Sequence, residues 1–203
     1  MRDAESLSDA SKNDIARLTA LLEGSGVDTT SWGSGEFKTV AHLAAELRAG
    51  DCELIAESTG LVRRVRNVWV DVFSTVDGAT VHLVERRQVF IDGRERARVL
   101  PASLGEKCKI GEDPAVAARR ALREELGVDD AAVVQPGVPR TNPAGRHSYP
   151  TLRTVYDTSW FVAILDRSQH RPEGYVEIQP DKRTYFAWES WPSDTSSSIV
   201  GSR

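Results

Sequence analysis

The stretch GEDPAVAARRALREELGV, residues 111–128, constrains the fold of this chain more than any other. Ala115, Ala118, Leu122 and Leu126 recur every three or four positions, the period of a helix buried along one face. Asp113 stands where a side-chain oxygen can accept from the free amides of a first turn. Pro114 suits the first helical position, whose amide needs no partner, and Gly127 can take the left-handed conformation that ends a helix. The spacing predicts a helix over 114–126.

Its polar face carries an electrostatic cost. Glu124 and Glu125 lie near the C-terminal end, where the helix dipole disfavours negative charge. Arg120, one turn earlier, can supply one cation. A divalent ion is the other candidate, because Mg²⁺ takes a few carboxylate oxygens and fills its remaining positions with water and substrate phosphate.

The stretch resembles a Nudix box. That pattern runs Gly, five residues, Glu, seven residues, Arg-Glu, an aliphatic residue, any residue, Glu-Glu, any residue, Gly and an aliphatic residue. Glu112, Arg120, Leu122, Glu124, Glu125, Gly127 and Val128 fall on its fixed positions. The resemblance implies a hydrolase, dependent on Mg²⁺ or Mn²⁺, of nucleoside diphosphates linked to another group. It makes Glu124 and Glu125 metal ligands, and it pairs Glu112 with Arg120 to hold the loop on the helix. It also implies an α/β/α sandwich with a mixed sheet, over residues 61–192.

Two positions depart from the pattern. Glu106 stands where the family has Gly, with Gly105 just before it, and Ala121 stands where the family has a third Glu. On a helix, position 121 is three before Glu124 and four before Glu125, so that carboxylate would stand beside both. Glu106 is the candidate replacement, with Glu124, for catalysis. The alternative is a Nudix-fold module of weak or no activity that binds a nucleotide or a protein partner.

Composition narrows the partners. The 203 residues are 40% apolar and 28% charged, ordinary for a soluble globular chain of one domain plus an extension. A formal net charge of -4 argues against a broad membrane or nucleic-acid surface while leaving room for a local basic pocket, and the small nucleotide-type substrate is what the resemblance implies. Cys52 and Cys108 lack metal-ligand spacing and read as free thiols. With no apolar run of membrane-spanning length and a polar, acidic start, a cytoplasmic location is expected.

Along the chain, residues 1–10 and the tail 193–203 read as loose. Ser11 and Asp14 suggest a cap for a helix carrying Ile15, Leu18, Leu21 and Leu22, ending near Gly24. Val40, Leu43, Ala44 and Leu47 suggest a second helix, closed by Gly50. This extension, residues 1–60, is expected to dock on the Nudix-like part, 61–192, or on a second subunit in a homodimer. Val68, Val70 and Val72 alternate with polar or larger residues as in a strand, and Asp77-Gly78 turns into Thr80–Phe90. Asp92-Gly93 turns into Arg94–Val99. Ala131–Val134, Thr154–Leu165 and Thr184–Trp188 are further strand candidates.

Other residues have a chemical reading. Lys107, Arg86 and Arg153 are phosphate-binding candidates, although strand alternation lets at most one of Arg86 and Arg87 face a given site. Arg146, His147, Tyr149 and Arg153 form a basic and aromatic stretch. Glu173 and Glu177 flank Gly174-Tyr175 and could supply a distal base. Trp69 and Trp160 read as packing residues, and His42, His82 and His170 have no partner pattern.

Overall fold

The computed structural model describes residues 14–136 and 148–192. The expected loose ends, the Ser11 cap, and Arg146 and His147 lie outside them. The chain divides into two compact units. Among the described residues, the first comprises 14–66, 109–111 and 148–157, and the second 67–108, 112–136 and 158–192.

In the first unit, α1 covers residues 14–24 and α2 covers Val40–Arg48. The Thr39 side chain accepts from the His42 amide while the His42 ring accepts from the Thr39 amide, so a histidine closes the capping box at the start of α2. β1 (Glu53–Glu57) forms a hairpin with the start of β2 (Gly60–Val76), in register from Glu53 opposite Arg64 to Glu57 opposite Gly60. Leu18, Leu22, Leu43, Cys52 and Val65 share a core with Tyr149 and Leu152, and Leu54 and Tyr156 pack against it. Trp32 packs at a tilt on Tyr149, ring centres 4.9 Å apart, and donates to the Pro150 carbonyl at 2.8 Å. Glu46, 7% exposed, takes Lys38 on one oxygen and Arg63 on the other, so this buried acid is neutralised from both sides.

The second unit is built on a sheet of order β6-β7-β2-β3-β9-β8, with β4 on β3 and β5 on β2. Its strands are β3 (Ala79–Phe90), β4 (Glu95–Arg96), β5 (Leu104–Lys107), β6 (Ala132–Val134), β7 (Arg153–Leu165), β8 (Tyr175–Ile178) and β9 (Lys182–Ser190). β2 and β7 run through both units. Asp77 (φ 48°) and Gly78 (φ 81°) make the predicted hairpin turn, whose two positive φ angles suit the right-handed twist of the flanking strands. Beyond Asp92-Gly93 the pairing covers only Glu95–Arg96, shorter than the expected 94–99.

The predicted central helix forms, with a difference at its end. Asp113 accepts from the Ala115 amide at 2.7 Å, Pro114 opens α3 (Pro114–Ala121), and Gly127 ends the helical run at φ 68°. Over Leu122–Leu126 the last turn is widened, and the Val128 amide reaches back to the Leu122 carbonyl at 3.2 Å. Ala117, Ala118, Ala121, Leu122 and Leu126 pack into a core with Val68, Val70, Leu83, Phe161 and Phe186. Burial of Leu122 and Leu126 contributes about 2 kcal/mol each. The small alanines let α3 lie close to the sheet, and Ala121, fully buried, belongs to that packing. The result is the expected α/β fold, a curled mixed sheet with few helices and a helix before it in the chain.

Candidate active site

The helix presents its polar face through Arg120, whose side chain is 16% exposed. Its guanidinium donates to both Glu112 oxygens at 3.1 Å and to the Lys107 carbonyl at 2.8 Å. Its Nη1 stands 3.4 Å from Glu106 on one side and 3.4 Å from Glu124 on the other. One cation thus ties the loop before the helix to the helix itself and brings Glu106 beside Glu124. The Glu112 bonds hold the Arg120 pKa above its ordinary value, with Glu106 and Glu124 adding to the effect. The charge is permanent at any working pH.

Glu125 points elsewhere. Burial pushes its carboxyl well above the usual range, and the charges on Glu177, Glu106 and Glu85 push it further, with Arg98 opposing them. Glu177 is brought there by β8, which pairs with β9 (Glu177 opposite Thr184). The start of β8 is fixed by Gly174 at φ 83°, where a Cβ would fall 2.0 Å from the Phe186 carbonyl oxygen. Glu85, with a side chain 1% exposed, accepts from Arg98 Nε at 2.7 Å on one oxygen and from Nη2 at 2.6 Å on the other. The charges of Glu177 on β8, Glu106 on β5 and Glu85 on β3 thus all act on Glu125, with Arg98 opposing them and Arg120 beside Glu106.

A second cluster has the composition of a hydrolytic triad without its geometry. Ser103 and Asp71 both contact the same nitrogen of His82, Nε2, at 3.1 Å, and the Ser103 hydroxyl donates to the Leu83 carbonyl. Ser103 also accepts from the Val72 amide at 2.9 Å. A base must bond the nucleophile with one ring nitrogen and its orienting acid with the other, so this cluster lacks the triad's geometry and ties β2 and β3 to the bend that leads into β5.

Residues 64–193 match the family model described as NUDIX domain. The chain belongs to the Nudix family. Among solved structures, the chain is similar to the C. elegans Ap4A hydrolase, at 12% identity, covering 62% of this chain and 80% of that one with a TM-score of 0.35. It is similar to the NUDIX domain of Shewanella oneidensis NrtR complexed with ADP-ribose, at 14% identity, 68% and 79% coverage and a TM-score of 0.38. A third is the E. coli dihydroneopterin triphosphate pyrophosphohydrolase, at 16% identity, 68% and 86% coverage and a TM-score of 0.38. No curated protein matches. The family assignment stands on the family model.

The remaining candidates of the Nudix reading fall in several places. Lys107 meets the site through its backbone, whose carbonyl takes Arg120 and whose amide donates to Glu106. Arg86 sits at a bulge in β3, between Glu85 and Arg87, which exposes Arg86 and Arg87 together; Arg86 pairs with Glu189 at 2.8 Å and Arg87 with Glu95 at 3.3 Å. Arg153 belongs to the first unit and pairs with Glu57 at 2.8 Å. Glu173 is exposed on the turn before β8. Trp69 packs on Trp160 at 6.2 Å and lies over Gly105, where a Cβ would meet its ring at 2.1 Å. Glu177, Glu85 and Arg98 are the functional candidates that matter most here, and only Glu177 carried a signal in the sequence. Among the described residues, no helix is long and apolar enough to cross a membrane.

Proposed function

We propose that this chain is a divalent-cation-dependent hydrolase acting on the diphosphate bond of a nucleoside diphosphate linked to another group. The observation that carries the reading is the position of Glu125. Burial and the charges of Glu177, Glu106 and Glu85 hold its carboxyl well above the ordinary range, a cost that a bound cation relieves. Family membership supports the same class of reaction.

Among the described residues no three acidic, His or Cys side chains stand together in ready ligand positions for a metal. Mg²⁺ does not need them, because it commonly takes one or two carboxylates and completes its shell with water and phosphate oxygens. The oxygen-only donors fit that ion or Mn²⁺, and Glu125 and Glu124 would hold it. The ion, when bound, supplies neutralisation of phosphate charge and a more acidic water.

The chain's own residues divide the remaining work. Arg120 fixes the loop on the helix and sets Glu106 at its place. Glu106 Oε1 takes the Lys107 amide at 2.7 Å, so Oε2 is the atom that can accept a proton from the attacking water. Glu177 is the second base candidate, reaching the site from β8. Arg98 stands beside Glu125 and can steady charge developing on a phosphate oxygen while Glu85 keeps it oriented.

The test is release of phosphate-bearing products from a panel of nucleoside diphosphate conjugates with Mg²⁺ or Mn²⁺, using native protein, Glu125→Gln and Glu106→Gln. Turnover that falls at least a hundredfold in Glu125→Gln supports the hydrolase. Ala121 packed in the core favours one second reading, a nucleotide-binding module: the helix then offers no third carboxylate. That reading predicts nucleotide binding in calorimetry with no turnover on any compound.

A further inference from the structure

Five arginines crowd the stretch from Arg86 to Arg98, and four of them are already matched. Arg86 pairs with Glu189, Arg87 with Glu95, Arg94 with Asp92 and Arg98 with Glu85. Arg96 is different. Its Nε and Nη2 donate to the Gln88 side-chain oxygen at 3.2 and 2.6 Å, and its guanidinium lies 5.4 Å from the centre of the Phe90 ring. Neither partner carries charge, and among the described residues no carboxylate pairs with it. A guanidinium that is aimed yet uncompensated is suited to an anion from outside.

What aims it is built into the sheet. Arg96 on β4 is opposite Gln88 on β3, Gln88 is opposite Thr184 on β9, and Thr184 is opposite Glu177 on β8. Directly opposite residues share a face, so these four form one polar row across four strands. Gln88 and Thr184 are each 1% exposed, and the Gln88 amide nitrogen faces the Thr184 hydroxyl at 3.5 Å. A glutamine that buried has no freedom to release its oxygen, which fixes the fork of Arg96 over β3. The row ends at Glu177, whose charge bears on Glu125. Two strand spacings separate β3 from β8, about 10 Å, the reach of a short phosphate chain.

We infer that Arg96, positioned by Gln88, clamps a phosphate of the substrate that lies beyond the diphosphate held at the acid cluster, so that the chain favours nucleoside polyphosphates over conjugates whose outer group is neutral. This rests on the proposed hydrolase reading for its second end, while the anion site itself does not. The Phe90 ring takes both Arg94, at 5.2 Å, and Arg96, at 5.4 Å.

The experiment pairs kinetics with binding. Native protein, Arg96→Gln, Arg96→Lys and Gln88→Leu are titrated with inorganic tripolyphosphate by calorimetry, and kcat and KM are measured for ATP and for ADP-ribose. Arg96→Gln weakens tripolyphosphate binding at least tenfold and raises KM for ATP by a similar factor, with kcat within threefold and ADP-ribose kinetics unchanged. Arg96→Lys keeps the charge without the fork and recovers part of the binding; Gln88→Leu falls between native and Arg96→Gln. Native protein that does not bind tripolyphosphate, or Arg96→Gln that binds it as tightly as native, overturns the clamp. Turnover of ATP with KM unmoved by Arg96→Gln overturns the clamp and leaves the hydrolase standing. Tripolyphosphate binding lost in Arg96→Gln, with no turnover on any compound, supports the anion site and removes the hydrolase.

Discussion

Replacing Arg120 by Met removes the cation that joins the helix to the loop before it, and its cost can be worked from the contacts. Arg120 makes two charge-assisted bonds to Glu112 and one to a backbone carbonyl, and the two side chains are 16% and 14% exposed. Breaking a buried ion pair from one side costs roughly 3–5 kcal/mol, and the residual solvent at both ends places this pair at about 3 kcal/mol. For a chain of this size that loss lowers Tm by about 6–12 °C. Urea and thermal unfolding followed by circular dichroism would measure it for Arg120→Met, Glu112→Gln and the double variant. The double variant is expected to be more stable than the two single losses predict, by at least about 1.5 kcal/mol, because each single change abandons the other partner. A loss below about 1 kcal/mol in Arg120→Met, or single effects that simply add, would refute the account of Arg120 as the tie between loop and helix.

The other predictions concern charge and the false triad. Glu125 has a folded-state pKa raised above its ordinary value of 4.5, so between the two values the folded protein binds more protons than the unfolded one. Its contribution is therefore held in full below about pH 4.5 and is lost as pH rises through the raised value. Without divalent cation, Glu125→Gln should be more stable than native at pH 8 and show a flatter stability profile above pH 5, read by urea midpoints; identical profiles would remove the charge cluster as described. Ser103→Ala strips partners from the Val72 amide and the Leu83 carbonyl, which should cost about 1–3 kcal/mol while leaving turnover per folded molecule unchanged. A thousandfold fall in kcat would instead make Ser103 a nucleophile.

What the sequence could reveal was local. The cap at Asp113, the proline at the first turn and the glycine at its end are each decided within a few residues, and so is the Asp77-Gly78 hairpin. The pairing of Glu112 with Arg120 was legible from a family pattern, and it stands in the fold. Of the groups acting on Glu125, Glu177 carried a signal in the sequence and Glu85 and Arg98 did not, because Glu85 is brought there by pairings between strands far apart in the chain and Arg98 is held through Glu85. Strand alternation allowed only one of Arg86 and Arg87 on a face, whereas the bulge at that point exposes both. A single inserted residue changes the facing of everything after it, and nothing in the local chemistry of Glu85-Arg86-Arg87 announces it. The widened turn at Leu122–Leu126 is equally silent, since its residues are ordinary helix formers.

The first unit draws its core from both ends of a long detour. Leu18, Leu22 and Leu43 are made early, while Tyr149 and Leu152, with which they pack, arrive more than a hundred residues later. At ribosomal speeds of about 5–20 residues per second, the two N-terminal helices wait roughly 5–20 seconds for the segment that completes them. During that interval their apolar faces have no final partner, and the sheet that carries the acid cluster is being synthesised in between. Maturation of this chain is thus gated by its own late segment, and a nascent chain stalled before Tyr149 would present the N-terminal helices to chaperones with the core of their unit unfinished.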